Sequence, residues 1–208
     1  MEFTLTPLSQ LDPAGLEHLA GLHRSVMHTL LSELGLPVVR RYYETCQVDP
    51  AVIGLCALSY PPSKREGAGA GGQIVGWAVG SPHPDQLNAR LRQPPTWFAG
   101  QMLRLAVTHP GALGQLAASA LSSSSQMEPQ AVELTYIGVA ASARAQGLGR
   151  ELLAAFVVAG RSAGYRSVVL SVETDNPAAI GLYTNAGFQV TRTFKEGRFE
   201  RHRMQFVF

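Results

Sequence analysis

Asn176-Pro177-Ala178-Ala179-Ile180-Gly181-Leu182-Tyr183-Thr184-Asn185-Ala186-Gly187-Phe188 decides how the C-terminal half of this 208-residue chain is read. Asn176 has the side-chain oxygen that a helix N-cap needs, and Pro177 supplies a fixed φ at the first helical position. Gly187 suits the left-handed residue that ends a helix before the next strand. The stretch therefore predicts a helix over Pro177–Ala186, with Tyr183 on it and Leu182 beside it facing the core.

Upstream, Ser167–Val172 reads as a buried strand. Leu148–Ala163 carries an apolar face of Leu148, Leu152, Leu153, Phe156 and Val157 and ends near Gly164. Before it, the strand Ala131–Val139 leads to Arg144-Ala145-Gln146-Gly147-Leu148-Gly149-Arg150, from which the helix rises directly. Strand, helix and strand in this order predict a parallel, right-handed crossover. The first turn of a helix leaves N–H groups unpaired at its positive dipole end, and glycines let a pyrophosphate approach the main chain. Arg144 and Arg150 flank the loop and add charge. A dinucleotide fingerprint would need glycine where Leu152 stands, and a Walker loop would need Gly-Lys-Ser or Gly-Lys-Thr; neither is present.

The spacing Arg-x-x-Gly-x-Gly resembles the pyrophosphate loop of the GNAT superfamily of acyl-CoA-dependent N-acetyltransferases. The stretch Asn176–Phe188 resembles that superfamily's Asn-x-x-Ala-x-x-Leu-Tyr-x-x-x-Gly-Phe signature, in the right order and 27 residues beyond Gly149. The likeness covers Ala131–Phe208 by motif and Met1–Gly80 by element order alone. It implies an α/β (α+β) GNAT fold: a mixed central sheet, two parallel strands splayed apart, and helices on either side. In that fold the CoA arm fills the gap, so the resemblance implies acetyl-CoA as cosubstrate. The main chain of Ile137, Gly138 and Val139 would pair with the pantetheine as an added strand would, Gly138 marking the bulge that opens the splay. Arg144, Ala145, Gln146, Gly147, Leu148, Gly149 and Arg150 would hold the pyrophosphate, with Asn176 also at the cofactor site.

The reaction implied is direct attack of an amine on the thioester, which needs a base to deprotonate the amine and an acid for the leaving thiolate. Tyr183 matches the superfamily's general-acid tyrosine; its other reading is a core aromatic. Glu133 stands from Arg144 at the distance of the catalytic glutamate in the histone-acetyltransferase branch. By strand alternation it shares a face with Thr135 and Ile137, and its other reading is a glutamate at a solvated strand end. The ribosomal-protein branch places its glutamate where this chain has Ser171, and Glu173 is a weaker candidate two residues on.

The N-terminal half is less marked. Phe3–Leu8 reads as a strand, and Asp12-Pro13 starts a helical stretch with Leu16, Leu19, Ala20, Leu22, His23 and Val26 at helical spacing. A break near Gly35-Leu36-Pro37 divides it into two helices, and Val52–Ser59 and Gln73–Gly80 are strands joined by a Gly/Pro-rich connection. Residues 82–130 are too long for a hairpin loop. Apolar patches at Trp97–Val107 and Leu113–Leu121 make them a helical insertion in a single domain of residues 1–208, one that covers the acceptor site or forms a homodimer interface.

Charged residues are only 15% of the chain and the net charge is +2, which argues against nucleic-acid binding. No apolar run spans a bilayer and no signal sequence opens the chain, so a soluble, cytoplasmic protein without membrane partners is expected. Cys46 and Cys56 read as buried thiols, and no histidine pair has zinc spacing, so no metal is expected. The resemblance thus implies a transferase that acetylates a primary amine of a small amine, amino sugar or peptide. The alternatives are a CoA-responsive module without turnover, and a peripheral membrane or scaffold protein that uses Leu103, Leu105, Val107 and Leu113.

Overall fold

The structure is a computed structural model, and it describes residues 3–60, 72–108, 128–197 and 199–208. In chain order these form β1 (Phe3–Pro7), α1 (Pro13–Val26), α2 (Leu30–Glu33), α3 (Leu36–Val48), β2 (Ile53–Ser59), β3 (Gln73–Ser81), α4 (Pro84–Leu91) and α5 (Pro95–Thr108). There follow β4 (Ala131–Val139), α6 (Leu148–Ser162), β5 (Ser167–Glu173), α7 (Pro177–Asn185), β6 (Gln189–Glu196) and β7 (Phe199–Val207). The strands make one seven-stranded sheet in the order β1-β2-β3-β4-β5-β7-β6. Every neighbouring pair is antiparallel except β4 and β5, which run parallel with α6 as their connection. This is the mixed α/β sheet that the motifs predict.

Two helical layers cover the sheet. α6 lays Leu148, Leu152, Leu153 and Phe156 on one face, against Val75, Ala78, Val132, Leu134, Val168 and Leu170. On the other face α1 and α3 bury Leu16, Leu19, Val38, Val39, Tyr42 and Tyr43 against Cys56, Ile74, Trp77 and Val79. β3 lies between both layers and is buried from Ile74 to Ser81. Helix ends follow local chemistry. The Asp12 side chain accepts from the Gly15 N–H at 2.7 Å and caps α1. At the end of α7, the Phe188 N–H donates to the Tyr183 carbonyl and Gly187 has φ +96°, a closure that a side chain would strain.

The N-terminal helical stretch breaks twice rather than once. Thr29 caps the single-turn α2, and Gly35 at φ +94° then opens α3. The insertion begins with α4, a separate helix that buries Leu87 and Leu91 in the α1/α3 layer, and continues with α5, which spans the Trp97–Val107 patch. The Leu113–Leu121 patch lies outside the described residues.

The parallel pair is short. Ala131 lies opposite Ser167, Val132 opposite Val168 and Glu133 opposite Val169, and there the pairing stops. From Leu134 and Leu170 onward the two strands separate into a fork. β4 stays paired to β3 on its far side, but with a bulge: Leu134 faces Gly80 and Tyr136 faces Val79, so Thr135 is the extra residue. The bulge is therefore at Thr135 and not at Gly138, which sits in register opposite Trp77. Gly138 is glycine for another reason: a Cβ there would lie 2.4 Å from the Trp77 ring. Gly80 serves the bulge, since a Cβ on it would lie 2.1 Å from the Glu133 carbonyl oxygen.

Candidate active site

The bulge changes which side chains share a face. Leu134, before it, packs in the α6 layer, and so does Ile137, after it; Tyr136 packs in the α1/α3 layer. Simple alternation would put Glu133, Thr135 and Ile137 together. The extra residue instead leaves Ile137 on the α6 face, while Glu133 meets Arg203, which also holds Ser171, on the α1/α3 face.

At the open end of the fork, the Arg144–Arg150 loop links β4 to α6. Ala145 and Gly147 have φ of +59° and +82°, and Gly147 is the N-cap of α6. Alternation of right- and left-handed residues turns successive N–H groups toward one point, which makes an anion cradle. Among the described residues, the N–H groups of Gln146, Gly147, Leu148 and Gly149 donate to no carbonyl; the first α6 turn closes only with Arg150 and Glu151 donating to the Gly147 carbonyl. Arg144 Nε donates to the Val139 carbonyl at 3.4 Å, which ties the loop to the end of β4. Leu148 is buried beneath the loop, while Ala145, Gln146 and Gly147 are exposed. A Cβ on Gly149 would sit 3.8 Å from both Val139 and Leu182, so the loop, β4 and α7 converge there.

α7 carries Tyr183 on the α6 face. Tyr183 is buried against Phe188, with ring centroids 5.9 Å apart, while Leu182 is only half-buried. The tyrosine, rather than Leu182, is thus the deeper core residue. Burial pushes the phenol up to about 12, so it stays protonated at neutral pH. Asn176 Oδ1 accepts from the Ala179 N–H at 3.1 Å as the α7 cap. Its exposed amide is placed at the same end of the sheet as the loop by the C-terminal end of β5.

The α1/α3 face of the fork is polar. Glu133 Oε1 lies 3.0 Å from Nη1 of Arg203 on β7, and the glutamate side chain is only 16% exposed, so it is not a solvated strand end. Arg203 is fully buried. Its Nη1 also donates to Ser171 Oγ at 3.3 Å and its Nη2 to Glu128 Oε2 at 3.2 Å. Burial alone would lower the guanidinium pKa, but the charges and hydrogen bonds of Glu133 and Glu128 outweigh it, so it is raised. Glu173, the weaker base candidate, is paired with Arg201 at 3.4 Å. In the α1/α3 layer, His23 is fully buried, 2.7 Å from the Tyr43 hydroxyl and edge-on to Tyr136 at 4.8 Å between centroids. Burial lowers its pKa to about 4, so the imidazole is neutral.

Sequence reasoning did not single out Arg203, Tyr42, Tyr43 or Tyr136. Arg201 and Arg203 are two apart on a strand and share a face, which is the signal available, but nothing local separates an inward arginine from a solvated one. Both cysteines are buried, and desolvation pushes each thiol up to about 12, which removes them as nucleophiles.

The fork fits an acyl-CoA. β4 past Glu133 and β5 past Val169 leave facing main-chain edges unpaired. The Thr135 hydroxyl at the bulge is shut off from solvent and finds no partner among the described residues. The unpaired loop N–H groups stand at the mouth. An extended amide arm with a pyrophosphate at one end matches this set of donors and acceptors. No group of three or more potential metal ligands occurs among the described residues, and none of their helices is long and apolar enough to cross a membrane.

Comparison with known proteins agrees. The model of the acetyltransferase (GNAT) family matches residues 42–188. The mycothiol acetyltransferase of Actinosynnema mirum is 29% identical over 149 residues, which cover 68% of this chain and 47% of that protein. The chain spans less than half the length of the curated relatives it matches. Among solved structures, a GCN5-related N-acetyltransferase from Kribbella flavida superposes with TM-score 0.61 at 16% identity, over 99% of this chain and 98% of that one. A Salmonella typhimurium protein with its cofactor acetyl-CoA superposes with TM-score 0.57 at 17% identity, over 100% of this chain and 94% of that one.

Proposed function

Because the chain belongs to the GNAT acetyltransferase family, we propose that it transfers the acetyl group of acetyl-CoA directly to a primary amine. The single observation that carries this reading is the fork, with unpaired strand edges leading back from a loop of unpaired N–H groups. In this reading Gln146–Gly149 bind the pyrophosphate through their N–H groups, with Arg144 and Arg150 adding charge at the rim. Ile137, Gly138 and Val139 offer main-chain hydrogen bonds to the pantetheine, which sets the thioester within the fork.

Two groups then act from opposite faces of the sheet. Glu133, with one oxygen held by Arg203, takes the proton from the amine on the α1/α3 side. Tyr183, neutral and desolvated, donates to the departing thiolate on the α6 side. The tetrahedral carbon forms as nitrogen attacks, and collapses as the C–S bond breaks and the phenolic proton moves to sulfur. The acceptor is a primary amine of a small molecule, an amino sugar or a peptide.

Thiol release from acetyl-CoA over a panel of such amines, together with calorimetric acetyl-CoA binding, tests the reading. Gly147→Glu puts a carboxylate where the anion sits. A Cβ at Gly147 has no neighbour within 4 Å, so the change leaves packing alone and adds only the strain of its positive φ, about 1–2 kcal/mol. Binding is expected to vanish in this variant. Unchanged affinity in a folded Gly147→Glu protein would remove the basis of the reading.

A further inference from the structure

We propose that Arg203 is a positioning residue for the transfer: it holds the Glu133 carboxylate at the point where β4 and β5 part, and it acts on the reaction only through that carboxylate. The inference rests on the acetyl-transfer reading above.

Glu133 is the last β4 residue paired to β5, so its side chain leaves the sheet at the base of the fork. A lone glutamate there would sample several rotamers. Arg203 comes from β7, one strand beyond β5, in register with Ser171. It reaches under β5 to Glu133 with Nη1 at 3.0 Å, while Nη2 is tied to Glu128 at 3.2 Å and Nη1 to Ser171 at 3.3 Å. A guanidinium is a planar, rigid fork; anchored at two other points, it offers Glu133 one fixed direction. It binds Oε1 and leaves Oε2 as the oxygen able to accept a proton from the amine. Burial makes this geometry firm: Arg203 has no exposed surface, so water does not compete for its donors.

The reach across a whole strand marks Arg203 as more than a local ion pair. Among the described residues its partners include Glu133 on β4, Ser171 on β5 and Glu128 in the turn before β4, so both strands of the fork are held by it. On the same face Arg201 is partly exposed, and among the described residues its ion pairs go to Glu173 on β5 and Glu196 on β6. The buried, fork-spanning contact is thus particular to Arg203 among these two arginines.

The test is a double-mutant cycle on the full chain, with acetyl-CoA and the most active amine of the panel. Arg203→Lys keeps the charge but replaces the planar fork with a single ammonium; Arg203→Gln keeps planar donors without the charge. Melting temperatures identify folded variants. For either one, kcat is expected to fall about tenfold with KM for acetyl-CoA unchanged, because the pyrophosphate loop is untouched. Glu133→Gln should lower kcat about a hundredfold. With Glu133→Gln already present, the Arg203 change should cost nothing more, giving about a hundredfold in the double variant rather than about a thousandfold. A merely structural arginine would compound the loss or leave kcat alone; either result overturns the inference. Failure of the transfer reading looks different, since the wild-type chain itself would then release no thiol with any amine, and both proposals would fall.

Discussion

The two faces of the fork are built on different principles. On the α6 side the surroundings are apolar: one phenol, Tyr183, shares a buried cluster with Leu134, Leu152, Phe156, Leu170 and Phe188 and packs on the last of these. On the α1/α3 side, several buried polar groups are paired: His23 with Tyr43, and Arg203 with Glu133, Glu128 and Ser171. An apolar wall raises the cost of ionising a group and so keeps an acid protonated. The carboxylates around Arg203 keep its guanidinium ionised and fix its direction. The difference matches what a thiolate leaving on one side and an amine arriving on the other would require of the protein.

The largest expected effect breaks each face separately. Tyr183→Phe keeps the ring and its packing on Phe188 and removes only the hydroxyl, so kcat should drop about a hundredfold while acetyl-CoA affinity holds. Glu133→Gln should cost a similar factor at low pH, and the loss should shrink as pH rises and the free amine becomes abundant. Rate profiles of the two variants against pH settle the matter. An undiminished rate in Tyr183→Phe returns that residue to the core, and a pH-independent loss in Glu133→Gln leaves Glu133 without a proton-transfer role.

Next in size is the bulge that lets one strand serve both faces. Gly80→Ala drives a methyl to within 2.1 Å of the Glu133 carbonyl, a backbone atom that cannot rotate away. A loss of about 1–3 kcal/mol is expected from denaturant titration. The smallest effect concerns His23. Its folded pKa of about 4 lies below the unfolded value of 6.5, so the unfolded chain binds the extra proton between these values. Stability is therefore full above the unfolded pKa and declines as pH falls toward about 4. A drop of about 1 kcal/mol between pH 7.5 and pH 5.5 is expected. His23→Gln, whatever its own cost, should flatten that slope; an unchanged slope would show that the imidazole is not the group responsible.

The same contrast explains what was legible from residues alone. Ala131–Val139, the α6 stripe, and the Asn176 and Gly187 ends of α7 follow from local signals: strand alternation, helical period, a cap and a stop. The loop motif and Tyr183 ride on those elements and could be placed with them. The α1/α3 face could not, because its members come from α1, α3, β3, β4 and β7, and only the folded sheet brings Arg203 beside Glu133. The bulge was misplaced for a related reason. Gly138 has the residue type that bulges favour, but its lack of a side chain is explained by the Trp77 ring, while Thr135 carries no local mark of irregularity. In the insertion the helical period of Trp97–Val107 was readable, yet α4 was not singled out, since this short helix buries only Leu87 and Leu91.

Thr135 works as a change of parity. Before it, odd-numbered positions of β4 address the α1/α3 layer, as Glu133 does; after it, even-numbered positions do, as Tyr136 does. One short strand thereby carries two independent scripts. The stretch nearer the loop can be rewritten to suit the cosubstrate arm without shifting the phase of the stretch that holds Glu133. It also follows that counting along β4 in twos gives the wrong face for every residue on the far side of Thr135.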